Sequence, residues 1–516
     1  MPDRWNSRPI ACLGGLVLDQ DSLTQGTQFP GTARTLQNFE PDISGGYRRV
    51  SGTTKYDSAA VTGGTNNPIL GVKVALGGVF ACRKNSGATD NAIYYSNGAG
   101  WTKVNTTLRP GAVVKARFTS YSLVEPVVIQ CDGVNPAWKW NGATEVTLNS
   151  AGAPANPKGA KLHRGRLALY GYGAGDLLTL SAPNDDEDYS GGAGALEFNV
   201  GDTIKGMALF RDELIIFCAR SIKKLSGSTS ADFAIVPVSD SIGCVSGDTI
   251  QELGGDLVYL SPDGLRSYAA TERFNDVELG LISRSIQPIV AGILQSGLSE
   301  DEYSSCVIRR KSQYRLFLNN PDLDSADNLN ILGRLQDSPT TPHGQFEWAT
   351  LVGIKPFCSD SEYSDNLERA VFGDPTNGYV YTLESGNTFD GTNIQAIYRT
   401  PDLTFDDAAI RKVFHKLYIN TQIEGDVAAS VQLLLEKGSV DIIQPGAKAF
   451  GQTGGVPTYG VAVYDTDVYG AFVYPNFKTN LIGSGFFGAF QFVCNNDSAP
   501  FRIESFIIQL AIKGRR

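Results

Sequence analysis

The chain has 516 residues, with 44 lysines and arginines against 54 aspartates and glutamates, a formal net charge of −10. That length exceeds one ordinary core and predicts two or three domains. The acidic balance argues against ordinary nucleic-acid binding, which needs a basic face to release counterions, but not against contact with DNA that must pass without sticking.

No run approaches the roughly 20 apolar residues that span a bilayer, and the opening MPDRWNS lacks the layout of a secretory signal. The expectation is a protein with no integral membrane segment, made and assembled in a cytoplasm. Gly (57) and Pro (24) are spread between apolar runs, which suits many short strands joined by tight turns. Helical periodicity is nearly absent. The best candidates are residues 284–294 (RSIQPIVAGIL), interrupted by Pro288, and residues 404–411, which allow one turn.

Residues 1–55 are not blade-like. They hold turn residues around a few short apolar stretches and must dock on something else to be buried. From 56 to 386 one phrase recurs: an apolar strand, a tight Gly/Asn/Asp turn and a second strand. It leads off near residues 92, 127, 167, 214, 257, 314 and 370, at steps of 35 to 57 residues. A four-stranded propeller blade takes roughly 40–50 residues. The predicted fold is therefore all-β, with a β-propeller of six or seven blades. Asp/Asn-rich loops interrupt it at 183–189, 319–330 and 359–366.

Beyond residue 386 longer strands are expected at 395–400, 410–420, 430–436, 490–494 and 501–513, with Phe501, Ile503, Ser505 and Ile507 alternating in the last. Their spacing predicts a sandwich or open barrel of about five to six strands. Residues 453–476 are rich in Gly, Tyr, Val and Pro, the profile of a projecting loop or tip. A propeller flanked by an incomplete start and a β-rich end predicts that segment 1–55 and segment 387–516 pair into one platform, with the propeller inserted in it.

Chemical signals are sparse. The eight cysteines (12, 82, 131, 218, 244, 306, 358, 494) form no CxxC, and Cys131, Cys218 and Cys494 lie in apolar strands, which favours buried free thiols. His163, His343 and His415 give no zinc spacing. Ser96–Trp101 (SNGAGW) comes near the Asp-box hairpin of propeller sialidases but lacks its Asp. Asp185 and Asp186 could serve as a glycosidase's acid and base, or form a solvated turn. The same loop and Asp322/Asp324/Asp327 offer oxygens for calcium but lack EF-hand spacing. Trp101, Trp138, Trp140 and Trp348 either stack on sugars or fill gaps between blades. The terminal KGRR at 513–516 reads as a solvated basic end. No catalytic, cofactor-binding or metal-ligating residue is assigned, and no cofactor is expected.

Four stretches resemble the tail nozzle, or tail tubular (hub), protein of short-tailed bacteriophages: NFEPDISGGYRRVSG at 38–52, SAPNDDEDY at 181–189, YRTPDLTF to RKVFHKLYI within 398–419, and YDTDVYGAFVY at 464–474. The resemblance implies a non-enzymatic virion protein, assembled in the bacterial host cytoplasm. It implies a homohexameric ring below the adaptor, with tail fibres or spikes outside and double-stranded DNA passing through the centre. A net acidic subunit fits a lumen that repels phosphates. The alternative reading is a propeller that binds or hydrolyses host surface glycans.

Overall fold

A computed structural model describes residues 5–63, 67–85, 90–269, 280–336, 346–364, 366–452 and 476–512. The expected tip at 453–476 lies outside the described residues except for Asn476. His343 and the basic end at 513–516 lie outside them as well.

The chain is all-β, and its middle is a β-propeller. Among the described residues seven antiparallel sheets follow one another around an axis. Six contribute four strands each to the ring, and the fifth in order has three described strands, Gln251–Leu253, Asp256–Ser261 and Gly264–Ser267. The innermost strands are Ile69–Ala75, Arg117–Ser122, Gly159–His163, Ile204–Phe210, Gln251–Leu253, Tyr303–Ile308 and Cys358–Ser364; each packs on the next, except that Ile204–Phe210 meets the turn Gly247–Thr249 that leads into Gln251–Leu253. The ring closes where Cys358–Ser364 meets Ile69–Ala75. Second strands such as Glu213–Cys218 are buried almost throughout, because both faces of a blade pack on neighbouring blades. The recurrent sequence phrase marks this second strand in every sheet but the first, where it marks the third, Asp90–Ser96.

Several inner hairpins turn through two consecutive left-handed residues: Leu76–Gly77, Arg164–Gly165, Arg211–Asp212 and Gly254–Gly255. This backbone matches the right-handed twist of the flanking strands.

The two chain ends build a sandwich. One sheet runs Phe39–Pro41, Tyr47–Arg49, Phe501–Ile512, Lys412–Ile423 and Asn476–Asn480, with Asn6–Ala11 also on Phe501–Ile512. The facing layer is Thr35–Gln37, Ile394–Arg399, Gly488–Asn496, Val427–Leu435 and Lys448–Gln452. Phe490 and Phe492 meet Phe506 across the layers, each with ring centroids 5.6 Å apart. The strand count exceeds the expected five to six because segments near the N-terminus add strands that are too short to show a period.

Thr35–Gln37 has a second role. It lies parallel to Phe346–Leu351, the outer strand of the sixth blade, and antiparallel to Ile394–Arg399. One continuous nine-stranded sheet therefore runs from the propeller axis into the sandwich. Thr53–Lys55, expected in the platform, instead forms the outer strand of the seventh blade against Val380–Leu383. The N-terminal segment thus completes the blade that closes the ring.

Three other expectations are corrected. Pro288 does not interrupt a helix: it sits in the first turn of Gln287–Gln295, where its missing N–H has no helical partner to lose. Residues 404–411 form turns, not helix. Ile507 does not continue the face of Phe501 and Ile503. Ser505 pairs with Asn420 and Ile503 with Thr421, leaving Glu504 as an extra bulge residue. The phase flips there, so Phe506, Ile508 and Leu510 are buried. A helix at Ser22–Gln28, capped by the Asp21 carboxylate, had no sequence forecast.

Candidate functional site: the propeller axis

The inner strands of the first four blades each carry a lysine among apolar or small neighbours: Lys73, Lys115 just before the second, Lys161 and Lys205. Arg117 and Lys158 add to this side. The other arc of the ring supplies the acids: Asp248, Glu300, Asp301, Asp360 and Glu362. Of these, Lys73, Lys115, Arg117, Lys161, Asp248, Asp360 and Glu362 line a cavity of about 350 Å³ at the axis.

Most of them pair across it. Arg117 grips Asp248 with two parallel bonds, Nε to Oδ1 at 3.0 Å and a terminal nitrogen to Oδ2 at 2.8 Å, and also reaches Asp301 at 2.7 Å. Burial raises the Asp248 carboxyl pKa, but Arg117 and Lys115 outweigh it and hold the pKa below its ordinary value. Lys158 and Lys205 hold the two oxygens of Glu300 at 2.5 and 2.7 Å. Against the opposing effect of burial, these lysines keep the Glu300 pKa low. Lys73 donates to Asp360 Oδ1 at 3.1 Å, while the Val74 amide holds Oδ2 at 2.8 Å. Lys115 gives its three protons to the carbonyls of Asp301, Tyr303 and Phe357 at 2.7–2.9 Å. Lys161 faces the same cavity without an ion-pair or hydrogen-bond partner among the described residues. Burial first, then the charge of Lys73, lowers its pKa against the opposing charge of Asp360.

The axis therefore holds electrostatic staples that tie early blades to late ones. A glycosidase acid needs a carboxyl with a raised pKa, whereas Asp248 and Glu300 are shifted the other way.

The residues weighed from sequence lie elsewhere. Asp186 accepts from Tyr121 Oη at 2.6 Å and Lys139 Nζ at 3.0 Å, and Asp185 caps the amides of Glu187 and Asp188. Asp322, Asp324 and Asp327 sit on an exposed loop. Among the described residues no group of three His, Cys, Asp or Glu side chains is arranged to hold a metal ion. His163 ends an inner strand and is buried, which together with Arg164 pushes its pKa down to about 4. His415 stacks on Trp5 at 4.1 Å. All eight cysteines are free and buried.

The SNGAGW turn receives its carboxylate from outside the hairpin: Asp57 accepts from Ser96 Oγ at 2.8 Å and the Gly100 amide at 2.7 Å. Trp138 and Trp348 are fully buried, with indole N–H groups on Glu145 and the Ile282 carbonyl. Trp140 packs on Phe80 and Tyr95. Trp101 bonds the Ala59 carbonyl. Sequence reasoning missed the axial set. Its only sequence signal was a single lysine set among small or apolar residues (VKV, VKA, AKL, IKG), recurring blade after blade.

No family model matches the sequence, and no curated protein does. Among solved structures, the extracellular domain of a hybrid two-component system from B. thetaiotaomicron aligns at TM-score 0.42 and 7% identity, over 66% of this chain and 40% of that one. PorZ, a surface component of the type-IX secretion system of Porphyromonas gingivalis, aligns at 0.38 and 11%, over 76% and 56%. An exo-β-1,3-galactanase from Phanerochaete chrysosporium aligns at 0.24 and 10%, over 89% and 99%. This chain thus spans 40% and 56% of the first two. At these TM-scores none of the three informs its activity. Among the described residues no helix is long and apolar enough to cross a membrane.

Proposed function

We infer that this β-propeller protein is a structural component of a short-tailed phage virion, the nozzle ring through which the genome leaves. The observation that carries the reading is the continuous nine-stranded sheet joining propeller and sandwich. A ring subunit under the load of DNA passage needs its modules to move as one body, and shared backbone hydrogen bonds provide that. The axial staples serve the same end by committing acids to ion pairs instead of proton transfer. The phrases at 38–52, 181–189 and 398–419 that resemble tail nozzle proteins support the reading from sequence. The ring is a homohexamer that contacts the adaptor above and fibres or spikes outside.

Negative-stain electron microscopy of the purified chain and of its virion tests this. Sixfold rings with a central hole, or density at the lower end of the tail, support the nozzle. A monomer that turns over or binds surface glycans in a screen would replace it with the glycan reading.

A further inference from the structure

We propose that the propeller axis binds one small oxyanion, of the phosphate or carboxylate class, on the ammonium of Lys161. Five cationic side chains line the cavity against three acids, Asp248, Asp360 and Glu362. The acids are occupied: Asp248 by Arg117, with Lys115 at 3.8 Å, and Asp360 and Glu362 by Lys73 at 3.1 and 3.8 Å. Four of the cations are occupied as well. Lys73 and Arg117 hold these acids, Lys115 spends its protons on three carbonyls, and Arg309 donates to the Ser361 carbonyl at 3.0 Å and lies over the Tyr363 ring. Among the described residues Lys161 is left as the lining cation with no hydrogen bond or ion pair, Asp360 acting on it only through its charge.

Lys161 is half-buried, and in a cavity where cations outnumber acids an ammonium that holds no carboxylate attracts an anion. The cavity is roomy enough for such a ligand. Burial and Lys73 disfavour the charged form of Lys161 more than the Asp360 carboxylate favours it, so anion binding draws a proton onto it and weakens as pH rises.

Isothermal titration of the full chain with sodium phosphate, and separately with sodium acetate, at ionic strength fixed by sodium chloride tests the site. One saturable event per chain with either probe is expected, and whichever probe binds more tightly names the class. Lys161→Met should weaken binding at least tenfold. No saturable binding by either probe, or equal affinity in Lys161→Met, overturns the site. If that variant does not fold, Lys161→Arg decides. A guanidinium stays protonated, so binding should persist while the proton uptake seen at pH 9 in buffers of different ionisation enthalpy disappears. Uptake unchanged in Lys161→Arg overturns the assignment.

Discussion

Arg315 of the sixth blade donates to Glu40 of the N-terminal segment at 3.2 Å, and both side chains are buried. Lys311 reaches the other Glu40 oxygen at 2.6 Å, Gln313 adds a bond at 3.1 Å, and Arg315 and Lys311 also hold Glu384 of the seventh blade. Arg48 extends the network from Glu40 to Glu424 in the sandwich. Two blades and both chain ends thus share one set of charges.

Removing one partner strands the others. Glu40→Ala should destabilise the fold by about 3–5 kcal/mol, because Arg315 and Lys311 lose a counter-charge in a buried site. Glu40→Gln should cost less, since it keeps one acceptor. Urea denaturation of the two variants beside wild type measures both.

The same network sets an acid limit. Burial raises the Glu384 pKa, but Arg315 and Lys311 more than reverse this and leave it well below its ordinary value of 4.5. A depressed carboxylate contributes its full stability above the unfolded pKa and loses it as pH falls toward the folded one. Unfolding free energy should therefore hold between pH 7 and about 5 and fall steadily below about 4.5. Glu384→Gln should start lower and show a shallower decline. Denaturant titrations at stepped pH test this, and an identical slope would remove Glu384 as a source.

Two non-glycine residues, Arg211 and Asp212, turn the fourth inner hairpin at φ 48° and 63°. Left-handed backbone is strained for residues with a Cβ. Asp212→Gly should raise stability by about 0.5–1 kcal/mol after the entropic cost of glycine in the unfolded chain. A thermal melt would register the gain as a higher Tm.

Gly333 lies under the Trp348 indole. A Cβ there would meet ring atoms at 2.3–2.8 Å, and Trp348 is wedged against Phe346 at 5.3 Å with its N–H tied to the Ile282 carbonyl. Gly333→Ala should cost about 1–3 kcal/mol through overpacking, and Trp348→Ala about 3–5 kcal/mol through the cavity it leaves. Near-ultraviolet circular dichroism, with the melting curve, separates loosened packing from global unfolding.

The repeated hairpins and the long C-terminal strands were legible in the sequence because strand period and turn chemistry are local: they depend on residues two to five positions apart. The seven recurrences of the hairpin phrase each fell on a blade strand for this reason, and the alternation of Phe501 and Ile503 marked a buried face. The tertiary structure decided what depends on distant partners. The bulge at Glu504, which turns Ile507 away from the face of Ile503, depends on pairing with Asn420 and Thr421. The assignment of Thr53–Lys55 to the last blade depends on an edge left open more than 300 residues later. The axial charges were the least legible, since Arg117 and Asp248 lie 131 positions apart and meet only after the ring closes. The sequence by itself determined that the chain would form blades, through apolar alternation and tight turns. Which charges face one another, and that Lys161 forms no ion pair among the described residues, was decided by ring closure, which brings together side chains with no local reason to meet.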